Sequence, residues 1–391
     1  MPLIMNAELD KLDGLAPRAC ELCRSRSADV MRCAACQAVY YCGRACQAAD
    51  REEHRIPCRV IRKARAHYEA EYVKLRDMPG DMLTPERMFD TEVGNFWSIL
   101  ETRPYMRARY GLVDALLLSY GTPGGPADVV QTCLDHLLDM LRLSRSDGMG
   151  VRQVVPGLLI RLGRDQDAYD FVRWHTTTAA KSREDDRDLN HNDDENDDDE
   201  DASRTTLHGI KDAGADVLEE PLDSWVNGKG WMPLSHVVAV TLVKVRVLLD
   251  LRAIRNASLA LRGAVPAEIV DLIRGQLVGS GGGGIVGGAR QRELLLAGPE
   301  ETARLARRLR GHVNRLYAAV DRYNPHFWDI LVNKPDAGVL ERPSGPYGQR
   351  TRDEALLVVG YNFASWYETP GAVDVLRSLA KKKAAGGGFV G

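Results

Sequence analysis

Seven of the eight cysteines in this 391-residue chain fall between residues 20 and 58. They form pairs with gaps of two or three residues, and a His-x3-Cys pair closes the series. Such gaps allow one turn of backbone to place two ligands on one metal ion. Zn²⁺ suits thiolates combined with an imidazole, and eight ligands suffice for two tetrahedral sites. The candidate ligands are Cys20, Cys23, Cys33, Cys36, Cys42, Cys46, His54 and Cys58.

Disulfides are the competing use for clustered thiols. The N-terminal sequence MPLIMNAELDKLDGLAPRAC has no basic region followed by an apolar core, so it does not resemble a signal peptide. Disulfide frameworks are typical of short secreted chains, whereas this chain is long enough to bury an ordinary core. The pattern therefore favours metal over disulfides and predicts an intracellular protein, cytoplasmic or nuclear. Cys133, far from the cluster, lies on an apolar helical stripe and is predicted to be a core residue.

Four ligands per ion leave no position for water or substrate, so both zinc sites are predicted to be structural. A segment of about forty residues buries too little apolar area to fold alone. Metal binding should therefore supply most of its folding free energy, on the order of 10 kcal/mol or more per site.

The order C-x2-C, C-x2-C, YYC, ACQ and H-x3-C resembles the MYND zinc finger, and all eight ligand positions match. The resemblance implies two interleaved structural Zn²⁺ sites and a role in binding proteins. One site would consist of Cys20, Cys23, Cys42 and Cys46. The other would consist of Cys33, Cys36, His54 and Cys58.

The resemblance also bears on proline-rich peptides, which some MYND fingers bind near the CQ dipeptide and a tryptophan shortly after it. Gln47 is present, but Arg51 occupies the tryptophan position. Aromatic faces dock polyproline-II ligands, so the replacement weakens this prediction. Tyr40 and Tyr41 could instead offer a surface, or pack inside the finger.

Helical patterns follow the finger and must position whatever surface it offers. Thr102 is a candidate N-cap, Pro104 follows it closely, and Gly121 ends the same pattern. Successive helical hairpins of thirty-odd residues resemble a tetratricopeptide-like array, so the predicted fold class is mainly α. The predicted organisation is a flexible N-terminal arm (1–19), the MYND finger (20–58), a basic linking helix (59–79), helical hairpin repeats (85–180), an acidic disordered insertion (182–205) and a helical region (230–380) with a glycine-rich loop (279–289).

Charge is distributed unevenly along the chain. Residues 184–201 contain twelve acidic residues and one arginine, a local charge of −11 within a total of −3. A segment with so little apolar content cannot repay its ordering entropy, which predicts disorder. Three roles remain open for it: a tail for a basic partner, a mask over the basic helix, or a solvated insertion.

Catalytic and membrane signatures are lacking. The apolar run VVAVTLVKVRVLLDL is interrupted by Lys244, Arg246 and Asp250, which argues against a membrane span. The run GSGGGGIVGGA lacks the Gly-Lys-Ser/Thr ending of a phosphate-binding loop and is predicted to be a linker. The sequence contains neither a Gly-x-Ser-x-Gly nor a His-Glu-x-x-His motif. No enzyme activity and no small-molecule substrate are predicted.

The sequence favours a protein-interaction adaptor over two alternatives. Lysine methyltransferases that carry a MYND finger need half of a SET domain upstream of it and an Asn-His-x-Cys motif downstream. Nineteen residues precede Cys20, and the only Asn-His pair, Asn190-His191, continues with Asn-Asp. A nucleic-acid-associated regulator is also disfavoured, because MYND fingers lack the projecting recognition helix of DNA-reading fingers. The predicted function is a zinc-binding adaptor for partner proteins, with proline-rich peptides as one candidate ligand.

Overall fold

The structure is a computed structural model that describes residues 14–27, 29–81, 84–188, 214–227, 232–260, 266, 268–269, 272 and 298–385. It divides into two compact units, Met1–Leu162 and Gly163–Gly391. Both units are built mainly of helices, so the predicted mainly α class is confirmed. The tetratricopeptide-like pairing of the helices stays a prediction.

The described residues of the first unit form a two-stranded sheet and six α-helices. Short 3₁₀ turns cover Phe96–Ser98, Leu100–Thr102 and Val151–Gln153. The strands are β1 (Met31–Arg32) and β2 (Tyr40–Tyr41), and the helices are α1 (Arg44–Ala49), α2 (Arg51–Arg76), α3 (Met88–Thr91), α4 (Arg103–Tyr120), α5 (Ala127–Leu143) and α6 (Val155–Arg161).

Helix α4 illustrates how the sequence sets these boundaries. Thr102 occupies the N-cap position, Pro104 lies in the first turn, and Gly121 occupies the C-cap position, as predicted. The Thr102 hydroxyl does not cap the helix and donates to the Ile99 carbonyl at 2.8 Å instead. Proline tolerates the first turn because the amide it lacks would have no intrahelical partner there. The apolar residues of α4 and α5 lie on facing stripes, and Cys133 is buried in that core.

Helix α2 runs without interruption from the finger through most of the predicted linking helix. It packs extensively on α4, with Ile61 and Leu75 buried. The ring of Tyr68 lies 5.8 Å from the ring of Tyr105. The basic composition of residues 59–79 favours a solvated helix; the structure corrects this, because one side of α2 is part of the core.

The predicted flexible arm, residues 1–19, lies outside the described residues up to position 13. The following segment is attached to the loop before α5. The Ala16 amide donates to the Gly125 carbonyl at 2.9 Å, and the Ala127 amide donates to the Ala16 carbonyl at 2.9 Å. Residues 14–19 thus differ from a free arm, because backbone pairing holds them in place.

The second unit is organised around one long apolar helix. That helix, α9 (Leu234–Ala260), carries apolar residues on all sides, and its described residues are mostly buried, as expected for a helix surrounded by others. It packs most extensively on α10 (Pro299–Tyr323). The helices are α7 (Asp165–Asp188), α8 (Asp223–Val226), α9 (Leu234–Ala260), α10 (Pro299–Tyr323), α11 (Phe327–Asn333), α12 (Ala337–Leu340), α13 (Arg352–Tyr367) and α14 (Ala372–Ala384).

The predicted acidic insertion, 182–205, is helical at its beginning, because α7 continues to Asp188. Helix propagation from a packed segment adds one hydrogen bond per residue, so the backbone can stay helical into charged sequence. Residues 189–213 and the glycine-rich loop at 279–289 lie outside the described residues. Within the described part of the chain, no helix combines the length and the apolar character needed to cross a bilayer.

Candidate metal centre

The first two cysteine pairs adopt the same local turn. The Arg24 amide donates to the Cys20 carbonyl at 3.0 Å, and the Gln37 amide donates to the Cys33 carbonyl at 2.9 Å. Arg24 and Gln37, each directly after the second cysteine of its pair, have φ values of 58° and 56°. This left-handed conformation is uncommon for residues other than glycine. Here it closes each turn so that both thiols of a pair can face one ion.

Of the remaining four ligands, one directly follows strand β2 and three lie in helices α1 and α2. Strand β2 leads directly into Cys42, and Cys46 lies four residues later in α1. His54 and Cys58 are both in α2. Residues four apart on a helix lie on one face, so His54 and Cys58 present two ligands in one direction. Cys42 precedes α1, and the bend at Cys42 and Gly43 brings its thiol to within 3.5 Å of the Cys46 thiol.

The first cluster consists of Cys20, Cys23, Cys42 and Cys46, whose sulfur atoms all lie within 4.8 Å of one another. The Sγ atom of Cys42 is 3.6 Å from that of Cys23 and 3.5 Å from that of Cys46. Thiolates placed tetrahedrally about 2.3 Å from a zinc ion are about 3.8 Å apart. All the cysteines are free, and these separations are far longer than the roughly 2 Å of a disulfide. The cluster has the dimensions of a zinc site.

The second cluster consists of Cys33, Cys36, His54 and Cys58, with all donor atoms again within 4.8 Å. Nε2 of His54 lies 3.4 Å from Sγ of Cys33 and 3.8 Å from Sγ of Cys36. The imidazole thus points its Nε2 atom at the thiols, as a fourth zinc ligand would. The two clusters reproduce the interleaved partition, and the prediction of two structural zinc ions is confirmed.

The ring nitrogen of His54 that faces away from the thiols contacts a residue of helix α4. The Nδ1 atom of His54 lies 2.7 Å from the hydroxyl of Tyr120, the last residue of α4. When Nε2 binds a metal, Nδ1 carries the proton and donates it to the Tyr120 oxygen. The Tyr41 ring meets the imidazole edge-on at a centroid distance of 5.8 Å, and the Tyr41 hydroxyl donates to Asp50 at 2.6 Å. These contacts fix the orientation of the ring.

Each cluster contains one cysteine whose pKa is lowered, Cys20 or Cys33, and other cysteines whose pKa is raised. Burial acts to raise the pKa of Cys20, but backbone N–H groups at Cys23 and Cys42 outweigh it and lower this pKa to about 6. Burial raises the pKa of Cys36 to about 12. Cys36 therefore becomes a thiolate only when a cation offsets the desolvation, so zinc binding at the second cluster should release a proton.

The surface predicted for proline-rich peptides lacks an aromatic side chain. Gln47 and Arg51 are exposed, four residues apart, where α1 meets α2. Tyr40 and Tyr41 are only 8% and 2% exposed. The alternative that they pack inside the finger therefore applies: the Tyr41 ring packs on His54, and the Tyr40 ring lies 4.3 Å from the guanidinium of Arg18 and 5.6 Å from that of Arg32.

Two closed four-ligand sites in 39 residues define a small zinc finger with no open coordination position. The family model of the MYND finger matches residues 20–58. The chain therefore carries a MYND finger at its N-terminal end, followed by a helical body. Neither the curated proteins nor the solved structures that were compared contain a match to this chain.

Several residues that shape the site leave no signal in the sequence. Tyr120 lies 66 positions after His54, and no spacing rule joins a ligand to a partner that distant. Arg65 donates to the Cys36 carbonyl at 3.3 Å, a contact that depends on how α2 packs against the turn formed by Cys33 and Cys36. Two histidines outside the finger are not metal ligands in this arrangement: His236 is buried, and His136 is half-buried with Arg109 donating to its Nδ1 atom at 3.2 Å.

Proposed function

We propose that this protein is a zinc-dependent protein-interaction adaptor. In this role the finger presents a fixed surface to partner proteins and the helical body serves as scaffold. The MYND finger is a protein-interaction module, and the chain combines it with a helical body. The observation that carries the proposal is the pair of closed clusters. An ion with four protein ligands has no open coordination position, so its role is to stabilise the fold of the finger.

The proposal does not include catalysis. A catalytic zinc site keeps one position for water or substrate, and both clusters here supply four donor atoms from the chain itself. We propose residence in the cytoplasm or nucleus. Support comes from the dependence of both clusters on thiols that remain reduced, which intracellular conditions favour.

Proline-rich segments are the first partner class to test. The exposed pair Gln47 and Arg51 keeps the amide of the peptide-binding surface and replaces its indole by a guanidinium. A guanidinium can hydrogen-bond to peptide carbonyls, but it offers less apolar area than an indole to a proline ring. We therefore expect weaker binding than in a finger with tryptophan, rather than complete loss.

The experiment is a fluorescence-anisotropy titration of the zinc-loaded full chain with a library of labelled proline-rich peptides. Arg51→Trp serves as the gain-of-binding variant and Cys42→Ser as the unfolded-finger control. Binding by the natural chain that disappears in Cys42→Ser supports the proposal. If no peptide binds the natural chain or Arg51→Trp, the finger does not bind proline-rich partners and that part of the proposal fails.

A further inference from the structure

One exposed side of helix α2 is strongly basic. Residues 54–68 contain five lysines and arginines and no aspartate or glutamate. Four of the cations are exposed and form no ion pair with any described residue. They define the surface called here the basic face: Arg55, Arg59, Arg62 and Lys63.

An apolar pair lies next to the basic face. Ile56 and Val60 are each 47% exposed and are one helical turn apart. Because Arg59 and Lys63 follow Ile56 and Val60 by three residues, each apolar side chain neighbours a cation on the helix surface. One partner protein can bury these apolar side chains and also pair with the neighbouring cations.

The helix that carries these side chains is fixed at its first two turns. His54 and Cys58 belong to the second metal cluster, and Ile61 is completely buried. These three residues share one side of α2, given the 3.6-residue period. Arg59, Lys63 and the apolar pair lie on the far side of the helix, and Arg55 and Arg62 lie between the two sides. The surface is thus held in place before any partner arrives, which lowers the entropy cost of docking.

We propose that the basic face, together with Ile56 and Val60, docks an acidic protein segment that carries apolar side chains. Carboxylates of the partner pair with the unpaired arginines, and its apolar residues cover Ile56 and Val60. A nucleic-acid backbone would satisfy the cations equally well but would leave both apolar side chains in water. The apolar pair is therefore the feature that favours a protein over a polyanion.

This inference rests on the proposed adaptor function and names a second surface for it. The test is a titration of the zinc-loaded full chain at low salt with a labelled 15-residue peptide of Asp and Glu that has Leu at every third or fourth position. The same peptide with Ser for Leu is the second probe, and a 20-base-pair DNA duplex is the third. We expect the Leu peptide to bind at least tenfold more tightly than the Ser peptide, with affinity falling as salt rises.

Two double variants assign the binding to the surface. Arg55→Glu with Arg59→Glu should weaken binding of the Leu peptide at least tenfold, and Ile56→Ser with Val60→Ser at least fivefold. The matched control, Val73→Ser with Lys74→Glu, alters an exposed apolar residue and an exposed cation of the same helix and should leave binding unchanged.

Equal binding of both peptides, tighter binding of the duplex, or indifference to the Ile56 and Val60 changes would overturn the inference. None of these results decides the adaptor function, because the proline-rich titration depends on Arg51 and Gln47 instead. Zinc content measured on every variant separates loss of the surface from loss of the finger.

Discussion

The finger and the second unit stabilise a fold in opposite ways. In the finger, three cysteines are among the most buried residues, and they surround positions for ions rather than for apolar side chains. In the second unit, α9 buries a run of valines and leucines against α10 and other helices. The first arrangement depends on metal coordination, and the second depends on apolar area removed from water.

The difference follows from size. A segment of 39 residues has too much surface for its volume to bury a sufficient core, whereas a unit of more than two hundred residues does not. Thiols are accordingly concentrated where apolar area is scarce. The one cysteine outside the finger, Cys133, is fully buried and behaves as a small apolar residue.

The strongest test of this contrast removes one zinc ligand. Cys42→Ser should reduce the zinc content below two ions per chain and unfold the finger, because binding free energy on the order of 10 kcal/mol per site is lost. The helices of the second unit should persist. Zinc content and far-ultraviolet circular dichroism measure both effects. Cys133→Ala is the matched control and should retain two zinc ions; a global loss of helix in Cys42→Ser would contradict the contrast.

The reverse experiment weakens the apolar core and spares the metal. Leu242 is completely buried in α9, so Leu242→Ala should lower the free energy of unfolding of the second unit by about 2–5 kcal/mol. The zinc content should stay at two ions. Denaturant titration followed by tryptophan fluorescence reports the change, since Trp225 is fully buried in this unit. Zinc loss in this variant would show that the two stabilising arrangements are not independent.

A smaller effect is expected where the helical part of the first unit supports a ligand. Tyr120→Phe removes the acceptor for the His54 Nδ1 proton and leaves a buried donor unpaired. Affinity for one of the two zinc ions should fall about tenfold, as is common when the outer partner of a histidine ligand is lost. Chelator competition should show one shifted phase and one unchanged phase. Tyr72→Phe, which removes an exposed phenol from the same unit, should shift neither phase.

The smallest expected effect concerns pH and the second unit. Burial raises the pKa of Asp165 to about 7 although Arg246 lies 3.1 Å from its carboxylate. The folded state therefore binds this proton more tightly than the unfolded state, and stability should fall as pH rises from about 4 to 7. Asp165→Asn should reduce the difference in melting temperature between pH 5.5 and pH 8 by about 2–4 °C.

Asp374→Asn is the control for this pH dependence because the Asp374 side chain is 74% exposed. It should leave the difference between the two melting temperatures unchanged. If Asp165→Asn leaves that difference unchanged as well, the buried carboxyl does not titrate in this range.

The sequence predicted the ligands better than their surroundings. Cysteine spacing identifies pairs because a chelate turn is local, and the family resemblance supplied the partition that spacing leaves open. The boundaries of α4 were also predicted correctly from Thr102, Pro104 and Gly121, although Thr102 makes no capping hydrogen bond and Gly121 has a φ of −84°. The burial of Tyr40 and Tyr41 was not, because a tyrosine in a short strand can face either way until its neighbours are placed.

What the sequence by itself determined is the zinc chemistry: eight ligands at spacings that close two sites, with Arg51 at the position of an indole. The tertiary structure decided which residue supports His54, which side of α2 is buried, and which cations are left beside exposed apolar side chains. The physical reason is the separation along the sequence over which each interaction acts. Chelate spacing and helix caps act over a few residues, whereas the contact of Tyr120 with His54 and the packing of α2 on α4 join segments far apart in the chain.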